Sequence, residues 1–74
     1  MKLIELLKIV ESQTSVSIYI SNKTLWNAKN EKHLISDNPF GILTKIDKEL
    51  LNCEVIGLKV NEIFNNLHIC IYKG

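Results

Sequence analysis

The sequence predicts an α+β fold: a four-stranded antiparallel sheet of two β-hairpins, an N-terminal helix packed on one face, and short helical segments between the hairpins. Three observations predict it. An apolar stripe at helical spacing opens the chain, two later stretches alternate apolar and polar residues at the strand period, and a run of Asp, Asn and Pro breaks the middle. At 74 residues the chain reads as one domain, 1–74. A domain this short buries only about 60% of its unfolded surface, and its core supplies ~3–5 kcal/mol of net stability.

Residues 2–11 read as the helix. Leu3, Leu6, Leu7 and Val10 form the centre of an apolar stripe, and Ile4 and Ile9 widen it to roughly 220°, more than one sheet can cover. Either a loop or another molecule is expected on the second flank.

Ser15 to Ser21 alternates as a strand, with Val16, Ile18 and Ile20 on one face and Ser17 and Tyr19 on the other. A two-residue turn at Asn22-Lys23 leads into a second strand over 24–29. That register pairs Tyr19 with Trp26 and sets both rings on one face; a turn one residue longer would send Trp26 to the core.

Residues 30–52 are irregular. Asn30 is positioned to cap a short helix through Glu31 to Ser36, Asp37-Asn38-Pro39 is a turn, and Phe40, Ile42, Leu43 and Ile46 offer apolar cover for the first helix. Thr44 or Asp47 is positioned to cap a second short helix carrying Leu50 and Leu51.

The last hairpin joins strands over 54–63 and 67–73 through Asn65-Asn66, two residues that tolerate the positive φ of a type I′ turn. Phe64 then faces Leu67, Val60 faces Ile71, and Ile56 and Leu58 continue the aliphatic side. Glu62, opposite Ile69, is the one polar residue out of place.

On this reading His68, Cys70 and Tyr72 look away from the helix, together with Lys59, Tyr19 and Trp26. Zinc has the right inventory in His33, Cys53, His68 and Cys70. The spacing is wrong, because Cys53 lies about 25 Å along the strand from Cys70's partner. A Cys–His nucleophilic pair at His68 and Cys70 lacks an orienting group and an oxyanion element, and Gly41, Gly57 and Gly74 stand too far apart to cradle a phosphate. No metal, no cofactor and no enzymatic activity are expected.

Net charge is +1, with nine Lys and no Arg. The usual side chain for bidentate phosphate and guanine contacts is therefore missing. Nucleic-acid binding, with Tyr19, Trp26 and Tyr72 stacking bases and Lys59 as the one nearby strand cation, is the alternative reading. The leading one is protein contact, because Tyr, Trp and His on a lightly charged face have the composition of an interface centre. The partner-binding residues are Tyr19, Trp26, Lys59, His68 and Tyr72. Self-association would also offset the small core. The opening MKLIELLKIVES is interrupted by Glu5 and Lys8 and lacks a cleavage pattern, no run nears the ~18 apolar residues of a membrane span, and two Cys without a secretory signal fit a reducing cytoplasm.

The order of "IELLKIV", "VSIYI", "KELLNCEVIGLKV" and "LHICIYK" resembles small uncharacterised phage and prophage proteins of Gram-positive bacteria. The resemblance covers most of the chain but has no counterpart for "KHLISDNPFG" and carries over no site residue. It implies a cytoplasmic accessory role in a bacterial host, including inhibition of a defence nuclease complex in the manner of anti-CRISPR proteins.

Overall fold

The computed structural model describes residues 1–24 and 31–73. Their order is α1 (Leu3–Ile9), β1 (Ser15–Ser21), β2 (Glu31–Asp37), α2 (Pro39–Lys45), a 3₁₀ helix (Lys48–Asn52), β3 (Val55–Asn61) and β4 (Asn66–Tyr72). The fold is α+β, with one sheet of strand order β2-β1-β4-β3.

Each helix has a local reason to start. The Glu5 side chain reaches back to accept the Lys2 backbone N–H at 2.9 Å, and Asn38 Oδ1 accepts the Gly41 N–H at 2.7 Å with Pro39 in the first turn of α2. The Asp47 side chain accepts from Glu49 at the start of the 3₁₀ helix. Leu3, Leu6 and Leu7 of α1, Ile42 and Ile46 around α2, and Leu50 and Leu51 of the 3₁₀ helix bury against Val16, Ile18, Ile69 and Ile71 of the two central strands. The aliphatic sides of β1 and β4 thus meet the helices, as the alternation requires.

The sheet is mixed, not purely antiparallel. Both hairpins are antiparallel, but they join through a parallel pairing of β1 with β4, Val16 to Leu67, Ile18 to Ile69 and Ile20 to Ile71. That pairing sets three aliphatic pairs side by side under the helices. Alternation prescribes which way each side chain faces but not which strand lies alongside.

In the first hairpin, β1 pairs with residues 31–37, not 24–29. The expected helix over Glu31 to Ser36 is strand β2, because a turn or two of isolated helix is marginal while strand pairing brings Ile35 against Ile18. Asp37, Asn38 and Pro39, expected as a turn, lead the chain from the last residue of β2 through the N-cap into the first residue of α2. The expected pairing of Tyr19 with Trp26 is replaced by Tyr19 with His33; Trp26 itself lies outside the described residues.

In the second hairpin Val60 pairs with Leu67 and Leu58 with Ile69, four residues away from the expected register and of the same parity. The connection is a longer turn over 62–65, in which Asn65 alone has positive φ, at 46°. Charge explains the slip. The expected register sets Glu62 against Ile69, which is fully buried, and burying an unpaired carboxylate costs several kcal/mol. Leaving Phe64 exposed forfeits only about 1.5–3 kcal/mol. Phe64 accordingly sits 73% exposed in the turn. A bulge at Ile56 also turns Val55 inward, opposite Ile71.

Where β2 passes into α2, Asp37 bonds Lys45 Nζ at 2.7 Å and accepts the Asn38 N–H at 2.7 Å. Its carboxylate lies against Gly41, where a Cβ would collide with it. The Lys45 ammonium first, and then the Asn38 N–H, hold this carboxyl below its ordinary pKa. The native state therefore binds this proton less tightly than the unfolded chain. The contribution is present at neutral pH and is lost as pH falls through the depressed value, below about pH 4. Asp37→Asn should lower the melting temperature slightly at pH 7, with the gap to wild type closing in acid; a gap independent of pH would show that the ion pair contributes nothing.

Candidate outer-face site

No helix covers the far side of the sheet among the described elements, and the polar positions of all four strands gather there. Tyr19 pairs with His33 on β2, Ser17 with His68 on β4, and Lys59 of β3 with His68. His33, Tyr19, His68 and Lys59 consequently form one diagonal row across the whole sheet. The Tyr19 ring meets both imidazoles, each at a centroid distance of 5.2 Å, at 65° to His33 and 40° to His68.

A hydrogen-bond chain runs beside the row. His33 Nε2 and Ser36 Oγ are 2.8 Å apart, Ser36 Oγ and Ser17 Oγ 2.9 Å, and Asn66 Nδ2 donates to Ser17 Oγ at 3.4 Å and to Ser15 Oγ at 3.0 Å. In a regular strand, residues three apart face opposite ways. The register shift between Ile18 and Tyr19 skips Leu34 and brings His33 and Ser36 to the same face. A His–Ser contact is what a nucleophilic pair would need, but the Ser36 hydroxyl is also bonded to Ser17 and so to the chain across the strands. The arrangement is polar and links β2, β1 and β4 beside the rings. Among the described residues, the buried Asn66 Oδ1 meets no hydrogen-bond donor.

At the β3–β4 end, Lys59, Val60, Asn61, Glu62, Ile63 and His68 line an open cleft of about 410 Å³. Tyr72 sits at the opposite end of β4, beside Ser21. Of the residues singled out from sequence, the fold therefore brings Tyr19, His68 and Lys59 together and leaves Tyr72 apart. Ser17 was placed on this face by its alternation, whereas His33, Ser36 and Asn66 were not expected there. For His33 and Ser36 the signal was the Leu34-Ile35 core of a segment ended by Asp37-Asn38-Pro39, legible as a strand only with its bulge.

Cys70 lies between Tyr19 and Gly57 in the sheet and is fully buried, although its side was expected to be an open one. Burial, and then the Glu31 charge, push its thiol pKa up. Because the native thiol holds its proton more tightly than the unfolded one, this contribution is present at neutral pH and is lost as pH rises beyond the ordinary thiol range. Cys53 is half-buried, with its sulfur 4.0 Å from the Glu49 carbonyl. Under a thiol reagent at neutral pH, Cys53 should react first and Cys70 only at the rate of unfolding. Equal rates in the native protein would contradict its burial.

Among the described residues, no three His, Cys, Asp or Glu side chains converge on a point that could hold a metal ion, and no helix is long and apolar enough to cross a membrane. No family model, curated protein or solved structure matches the chain.

Proposed function

We propose that the chain is a non-enzymatic, phage-type accessory protein that captures a bacterial protein on the outer face of its sheet and so blocks a defence assembly such as a CRISPR–Cas nuclease complex. One observation carries the choice of surface: the His33–Tyr19–His68–Lys59 row, with the Tyr19 ring edge-on to His33 and tilted against His68, and backed by a hydrogen-bond chain spanning three strands. Rigid aromatic side chains lose little entropy on contact and dominate interface energies. The class of partner rests on the sequence resemblance alone. Site of action is the cytoplasm of the bacterial host. Trp26 remains a proposed contact on sequence grounds, and Tyr72 a peripheral one.

The test is capture from a host lysate by the tagged chain, with the recovered protein then purified and titrated directly against wild type and outer-face variants. Binding of a purified defence component that inhibits its nuclease activity supports the proposal. Binding without inhibition, or no binding, overturns it.

A second reading draws on the same row, since Tyr19 between two imidazoles with Lys59 at the end offers stacking surface for single-stranded bases. It predicts retention on single-stranded DNA at low salt and steep loss with added salt, from counterion release. The absence of Arg weighs against it.

A further inference from the structure

We infer that β3 pairs edge to edge with β3 of a second copy, making a closed two-fold dimer with one continuous sheet. The start of the β3 edge is already occupied: Met1 to Leu3 lies along it, with Leu3 N–H donating to the Cys53 carbonyl at 3.0 Å and Val55 N–H donating to the Met1 carbonyl at 2.8 Å. Beyond that hook no described residue pairs with the edge from Gly57 to Asn61. On the helix side of this stretch Leu58 is 50% and Val60 65% exposed, because α1 buries its stripe over the central strands.

The stretch is self-complementary. A two-fold axis perpendicular to the sheet makes the pairing antiparallel and keeps matching faces together. Centred on Leu58, the register sets Leu58 on Leu58 of the second copy, Lys59 against Gly57, and Val60 against Ile56. Lys59 is the only charge in β3, and this register opposes it to no like charge. Strands exposed in this way usually carry guarding charges or prolines. On β3 such guards are the single Lys59 and the bulge at Ile56, whereas the opposite edge is more heavily charged: β2 carries Glu31, Lys32, His33 and Asp37, and an irregularity at Leu34. Pairing β2 with itself about Leu34 would set Glu31 against Asp37. Assembly through β3 therefore stops at two chains. Both outer faces then lie on the same side of the joined sheet, so the dimer would present the His33–Tyr19–His68–Lys59 row twice; the inference does not depend on what that row binds.

Light scattering after size exclusion, across a dilution series, tests this. The expected mass at high concentration is twice 8.5 kDa, falling to one chain on dilution. Leu58→Lys should hold the protein at one chain, with its circular dichroism unchanged, and the amides of Gly57 to Val60 should lose protection from hydrogen exchange. Val60→Lys, at a more exposed position, serves as the second variant should Leu58→Lys fail to fold. A wild-type protein of single-chain mass throughout overturns the inference. So does a dimer that survives the lysine variants, one abolished by Tyr19→Ala, or a mass that keeps growing with concentration.

Discussion

Replacing Ile69 by Ala should leave much of the protein unfolded at room temperature. Ile69 is fully buried and lies in the sheet between Ile18 of β1 and Leu58 of β3. Leu67 and Ile71 are flanked by aliphatic residues in the same way, and Ile69 stands between them at the middle of β4. Truncating a buried Ile to Ala removes transfer free energy and leaves a cavity, about 2–5 kcal/mol together. A domain of this size has only ~3–5 kcal/mol to lose. Urea titration followed by circular dichroism should show wild type with a native baseline and Ile69→Ala with little or none. Phe64→Ala is the control. Phe64 is equally apolar but stands 73% exposed in the turn, and its truncation should shift stability by no more than about 0.5 kcal/mol. Comparable losses in the two variants would mean that the expected register, with Phe64 inside, describes the hairpin better.

The second large effect is on binding. Tyr19→Ala combined with His68→Ala should weaken capture of the partner by at least about thirty-fold, the equivalent of one hot spot of ~2 kcal/mol. Neither side chain is part of the aliphatic core, so the variant should melt within a few degrees of wild type. Lys59→Ala, at the end of the row, should act mainly on association rate and salt dependence. Titration of the purified partner by calorimetry separates these effects. Full-strength binding by the folded double variant would remove the outer face as the contact surface.

Faces were legible in the sequence; neighbours were not. The stripe of Leu3, Leu6 and Leu7 is buried as its spacing requires, while Ile9, on the opposite flank from Ile4, is 71% exposed. The widened stripe was thus only partly covered by α2 and the 3₁₀ helix. Leu67, Ile69 and Ile71 turn inward with Val16 and Ile18, and His68 turns outward with Tyr19. Period two determines that much. Backbone hydrogen bonds are alike in every register, so the choice of register falls to distant side chains, here the cost of Glu62 against Ile69. The parallel joining of β1 to β4 has no local signature at all, because Ile18 and Ile69 are 51 residues apart. The site followed the same division. Tyr19 and His68 could be assigned to a face, but His33 reached it only through a bulge in a segment whose short length also suited a helix.

The account rests on Tyr19 standing between two imidazoles on the side of a mixed sheet that faces away from the helices. Nuclear Overhauser spectra of the labelled protein test this most directly. Cross-peaks from the Tyr19 ring to the ring protons of both His33 and His68, with parallel-register contacts between the Ile18 and Ile69 strands, are the predicted result. Cross-peaks from Tyr19 to Leu3 or Ile42 instead, with neither imidazole nearby, would contradict it.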